Sequence, residues 1–88
     1  MAVPTLATRR RMITAALERR GETWEDMVAS TLTPDELDRK FDSSEGGAAF
    51  TLWTRHRVYF PALYDVAERV ESVPRDPCDE RTPRVGHI

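Results

Sequence analysis

The sequence predicts an α+β fold in which helices come first and antiparallel strands follow. Two observations predict it. Residues 1–41 carry apolar side chains at helical spacing, with start signals ahead of the runs. From residue 49 the spacing changes to alternation, and "AFTLWTRHRVYFPALYD", residues 49–65, holds five of the seven aromatic residues. Eighty-eight residues make one domain. A chain this short buries only about 60–65% of its unfolded surface, which leaves little room for a deep cleft. Small size therefore favours binding over catalysis.

The first helix is expected over residues 5–21, with Leu6, Ile13, Ala16 and Leu17 on one face, Thr5 as its cap and Gly21 as its stop. Arg19 and Arg20 in its last turn suit the helix dipole. A second, short helix is expected over 23–32, capped by Thr23 and answered by Asp26, with Trp24, Met27, Val28 and Leu32 as its apolar set. The clearest local signal starts the third, over 33–41: Thr33 as cap, Pro34 at the first helical position and Glu36 closing a capping box. Leu37 and Phe41 then share a face.

Residues 42–48, "DSSEGGA", are a loop. Beyond it Phe50, Leu52 and Thr54 alternate with Thr51, Trp53 and Arg55, which predicts a strand. A second strand is expected over 57–60, with Arg55 and His56 at the hairpin tip, although neither residue favours the positive φ of a tight primed turn. Phe50, Leu52, Val58 and Phe60 are the expected core set, which leaves Trp53 and Tyr59 outside it. Residues 61–73 read two ways. Leu63, Val66, Ala67 and Val70 have helical spacing behind Pro61, and a turn at Asp65–Val66 followed by a strand over 67–73 is the other reading. Residues 74–88 hold three Pro and six charges; a body over 1–75 and an extended, poorly ordered tail over 76–88 are expected.

The net charge is −2, unevenly spread. Residues 1–20 carry five Arg and one Glu; residues 21–47 carry eight acids against Arg39 and Lys40. Such a polarised chain pairs a basic start with an acidic middle. A general nucleic-acid binder has a clearly basic domain, which this is not. Cys78 is the only cysteine, so no intramolecular disulfide forms. No apolar run has the length of a membrane helix and the start lacks the apolar core of a signal peptide, so a cytoplasmic protein is expected.

The stretch "FTLWTRHRVYFPALYDVAERVESVPRDPC" resembles a group of small uncharacterised proteins of actinobacterial phages and integrated elements, whose pattern is F-T-x-W-T-x-x-R-V-Y-F-P-x-x-Y-D-G-x-E-W-V-x-S-V-P-R-x-P-C. The matching positions are Phe50, Thr51, Trp53, Thr54, Arg57, Val58, Tyr59, Phe60, Pro61, Tyr64, Asp65, Glu68, Val70, Ser72, Val73, Pro74, Arg75, Pro77 and Cys78. With "GETWEDMVASTLTPDELDRKFD" upstream, the resemblance covers about residues 10–85. Val66 and Arg69 stand where the group has Gly and Trp. The group's Asp-Gly is a hairpin signal, so the resemblance implies strand, turn, strand over 61–73, and hence a three-stranded antiparallel sheet behind the N-terminal helices. It implies a phage or mobile-element setting and brings no activity.

No enzyme motif is present and no cofactor is implied. His56, Cys78, Asp79 and His87 lack the paired spacing of a zinc site. Cys78 and His87 lie in the Pro-rich tail with nothing to order them as a nucleophile and base. The leading expectation is a non-catalytic accessory protein that binds and inhibits a host protein or nucleoprotein complex, such as a CRISPR effector. Its expected contacts are Asp35, Asp38, Asp42 and Glu45 toward a basic partner, with Trp53, Tyr59 and Tyr64 as aromatic anchors. The bland reading of those acids is a solvated helical face. The alternative is a nucleic-acid-binding regulator using Arg9, Arg10, Arg11, Arg55, His56 and Arg57. A third is self-association, such as a homodimer, through the outer face of the sheet.

Overall fold

A computed structural model describes residues 6–42, 46–64 and 67–82. Its first helix, α1 (Arg9–Arg19), is capped by Thr8, whose extended backbone lets its hydroxyl accept the Arg11 N–H at 3.2 Å. The cap expected at Thr5 lies outside the described residues. Leu6, expected on the helix, instead pairs in the two-residue strand β1 (Leu6–Ala7) and is 62% exposed. Gly21 ends α1 as expected, at φ +70°, a backbone that side chains other than glycine rarely adopt. Ile13, Ala16 and Leu17 form the buried stripe, and Arg9 is buried beside them.

The second expected helix is overturned. Asp26 does accept the Thr23 N–H at 2.8 Å, but only one 3₁₀ turn, Trp24–Asp26, follows. The chain then becomes strand β2 (Met27–Ser30). Side-chain bonds oppose a helix here: Ser30 Oγ accepts the Leu32 N–H locally, and Thr31 Oγ1 accepts the N–H of the distant Thr51, just ahead of the next strand in the sheet. The third helix, α2 (Pro34–Asp38), begins with the expected box, Thr33 Oγ1 accepting Glu36 N–H and Glu36 Oε1 accepting Thr33 N–H. It ends after five residues, because Phe41 is drawn into strand β3 (Phe41–Asp42), which pairs with β1.

Strands β4 (Leu52–Thr54), β5 (Arg57–Tyr64) and β6 (Ala67–Pro74) complete an antiparallel sheet of order β2-β4-β5-β6. The sheet has four strands rather than three, since β2 joins it. The helical reading of 61–73 is also overturned: β5 and β6 pair from Arg57↔Pro74 to Tyr64↔Ala67. The turn at Asp65–Val66 lies outside the described residues. At the other hairpin tip, Thr54 Oγ1 accepts the N–H groups of His56 and Arg57 at 3.2 and 2.9 Å. A threonine side chain thus closes the turn that Arg55 and His56 do not favour by themselves.

Register decides the core. Leu52 pairs with Tyr59 and Trp53 with Val58, so Tyr59 shares the face of Leu52 and is fully buried. The expected core set was therefore half wrong: Val58 and Phe60 lie on the Trp53 face. The core is Ile13, Ala16, Leu17, Leu32, Phe50, Leu52, Tyr59 and Val70, between α1 and one face of the sheet. Met12, Trp24 and Leu37 pack around it. The described part of the expected tail, residues 76–82, is tied to the body through Glu80, which pairs with Arg57; just before it, Arg75 N–H donates to His56 O and its guanidinium donates to Thr54 O.

Candidate functional site

A one-sided sheet leaves a second face. On it, directly paired residues and their i+2 neighbours place Trp53, Val58, Phe60 and Val73 together, with Ala29 at the β2 edge. The four large side chains are half-buried and Ala29 is exposed. No helix among the described residues lies over them, since α1 packs on Leu52, Tyr59 and Val70 opposite. Residues 75–82 run beside this face and bound a shallow open groove of about 670 Å³, with Phe60 and Val73 on its floor side and Pro77, Cys78 and Thr82 on the other. Arg69 and Glu71 continue the same face along β6.

The expected anchors divide on this geometry. Trp53 lies on the open face. Tyr59 does not: its hydroxyl donates to Glu22 Oε1 at 2.5 Å inside the core. Burial first, then the bond to the carboxylate, push its phenol above the ordinary value. Glu45 and the side chain of Tyr64 lie outside what is described.

The expected acidic surface is partly spent within the fold. Asp38 accepts from Arg10 through both oxygens, at 2.6 and 3.2 Å. That guanidinium holds the Asp38 carboxyl below the usual range. Asp35 is exposed on α2, and Asp42 is half-buried in β3. Glu36 and Asp26 serve the two caps. The three described members of that set, Asp35, Asp38 and Asp42, thus do not form one outward acidic patch.

The nucleic-acid set is dispersed more completely. Arg9 is 1% exposed, donates twice to Ala48 O, pairs with Glu68, and lies 4.8 and 5.0 Å from the ring centroids of Phe41 and Phe50. Arg57 is buried, donating to Ser72 Oγ, Ser72 O and both Glu80 oxygens. Arg10 is held by Asp38. Arg11, Arg55 and His56 are exposed. The Arg55–His56–Arg57 tip is therefore not a triad of free cations, because its third member is a core residue.

Among the described residues, no group of three His, Cys, Asp or Glu is placed to hold a metal ion. None of their helices is long and apolar enough to cross a membrane. Sequence reasoning missed Val58, Phe60 and Val73 as surface residues, and missed Glu22 as a buried one. No family model, curated protein or solved structure matches the chain.

Proposed function

We propose that this chain is a non-catalytic binding protein that grips a host protein through the open face of its sheet and inhibits it. The observation that carries the reading is the placement of Trp53, Val58, Phe60 and Val73 as one half-buried apolar surface with no helix of the described residues on it. Aromatic residues dominate binding hot spots, and apolar side chains left partly in contact with solvent on one sheet face suit an interface. The resemblance to small proteins of phages and integrated elements supports a host target, a defence effector in the sharpest version. The internal pairing of Arg10 with Asp38, and of Arg9 with Glu68, favours apolar contact over charge mimicry as the source of affinity.

Affinity capture from lysate of an actinobacterial host, with wild type beside Trp53→Ala/Phe60→Ala, tests this. One protein or complex should be retained in stoichiometric amount by wild type and lost by the double variant, while Asp35→Lys retains it. Equal retention by wild type and double variant would sink the reading. So would retention of nucleic acid alone, removed by nuclease.

A further inference from the structure

Glu22 is the least expected residue in the core. It follows α1, is 7% exposed, and its Oε1 accepts from Tyr59 at 2.5 Å and Thr54 at 3.1 Å. Its Oε2 is buried and has no hydrogen-bond partner among the described residues. A buried carboxylate oxygen without a donor is destabilising, and such a group calls for a compensating partner, whether an ordered water or a bound cation. Glu22 also lines a cavity of about 120 Å³ on the helix side of the sheet, together with Thr14, Leu17, Glu18, Thr23 and Trp24.

The chemistry of that lining is specific. Leu17 and Trp24 supply apolar walls, and two carboxylates, Glu18 and Glu22, supply negative charge. The indole is fixed in place: its Nε1–H donates to Thr14 Oγ1 at 2.8 Å, and Thr14 Oγ1 donates to Arg10 O at 2.7 Å. Among the described residues, Arg10 lies over the ring at 5.8 Å from its centroid, and Arg10 is held by Asp38 and does not line the cavity. An indole face and a carboxylate are what a cationic head group seeks, and an apolar wall suits an alkyl stem. The volume equals that of about four waters, enough for an ammonium on a short chain.

We propose that this cavity receives a primary ammonium on an alkyl stem, the end of a lysine side chain presented by a protein partner. The site lies across the sheet from Trp53. It rests on the binding-protein reading only for the source of the lysine; the pocket's preference stands on its own residues.

The test uses n-butylammonium chloride and the ¹⁵N-labelled full chain, following the two indole N–H resonances. Trp24 reports the cavity and Trp53 is the internal control on the opposite face. The Trp24 signal should move saturably with a Kd of about 1–10 mM, the range open to five heavy atoms. The Trp53 signal should not move, and equal concentrations of n-butanol or sodium chloride should move neither. Glu22→Gln keeps the oxygen that Tyr59 and Thr54 use, so it should fold, and it should weaken binding at least tenfold. Glu18→Gln, at an exposed position, should weaken it about threefold and serves if the first variant does not fold. Equal response to butanol, or unchanged affinity in both variants, would overturn the proposal. Either result leaves host-protein capture through Trp53 to be judged separately.

Discussion

Replacing Arg9 by Met should remove much of this protein's stability. The guanidinium is 1% exposed, and its pair with Glu68 joins α1 to β6 while its bonds to Ala48 O hold the chain leading into Phe50. Met keeps the apolar stem and the contact with Phe41 and Phe50, so the loss reports on the charged head. Breaking one side of a buried ion pair costs about 3–5 kcal/mol. Glu68 is 15% exposed and keeps the Gly47 N–H at 3.3 Å, which places the expected loss at the lower end, about 3 kcal/mol. A chain of this size has about 4–13 kcal/mol in all, and each kcal/mol moves its Tm by about 4–8 °C. Arg9→Lys should recover less than half, because an ammonium cannot serve Ala48 O and Glu68 in one plane or stack between two rings. Urea unfolding followed by far-ultraviolet circular dichroism measures each value. Adding Glu68→Gln closes a double-mutant cycle, in which the two changes should couple by at least about 1 kcal/mol. A loss under about 1 kcal/mol for Arg9→Met, or additive effects, would mean that the Arg9–Glu68 pair does not hold α1 to β6 and that Arg9 is available to a partner.

Tyr59→Phe removes the donor to Glu22 Oε1 and should cost about 1–3 kcal/mol, read from the urea midpoint. The raised Tyr59 phenol should stay protonated where an ordinary tyrosine ionises, near pH 10. Its contribution to stability is complete below that pH and is lost as pH rises toward the folded value; absorbance at 295 nm in wild type against Tyr59→Phe checks this. The hydrogen bond from Arg57 holds Glu80 below the usual carboxylate range, so attachment of residues 75–82 should be complete above that range and fail as pH falls through the lowered value. Limited proteolysis between pH 3 and 6 should show that transition in wild type and not in Glu80→Gln, which is cut at every pH. Trp53→Ala, at a half-buried position on the open face, should cost about 1–3 kcal/mol, less than the roughly 3–5 kcal/mol of a fully buried aromatic, read from the same urea midpoint.

The helix starts were legible because a cap is a local event. Thr33, Pro34 and Glu36 announce α2 within four residues, and no distant partner is needed. Helix length was not local. Met27–Ser30 left the helical reading because β4 had an edge to fill, and Phe41 left it because Leu6 and Ala7 offered a partner strand. The burial of Tyr59 is legible from the hairpin tip. A two-residue tip at Arg55 and His56 sets Trp53 opposite Val58 and Leu52 opposite Tyr59, and opposed residues share a face. Reading the two strands as independent alternations assigned Val58 and Phe60 to the core, when the tip had already assigned Tyr59. Arg9 and Glu22 were illegible in a stronger sense. Nothing beside them marks one arginine of three, or one glutamate of an acidic run, for burial; their partners stand far away at Glu68 and Tyr59.

Those partners also change what the charge pattern means. A basic start and an acidic middle suggest two surfaces aimed at two kinds of ligand. In the fold, the start closes on acids of the chain itself: Arg9 on Glu68, Arg10 on Asp38 and, more loosely, Arg20 on Glu80 at 4.0 Å. Opposite charges far apart in sequence act as a guide to assembly, and what they neutralise is no longer available for steering a partner. The exposed pair, Arg10–Asp38, adds little stability by itself, since surface ion pairs contribute about 0–1 kcal/mol. Its effect is on recognition, because it removes from view a cation and an anion that the sequence offers to phosphate or to lysine. Removing one member exposes the other. Asp38→Ala should therefore release Arg10 and increase retention on heparin at low salt, without a matching loss of stability. Unchanged retention would mean that the pairing does not mask Arg10 and that internal ion pairs leave the cations of this chain open to a ligand.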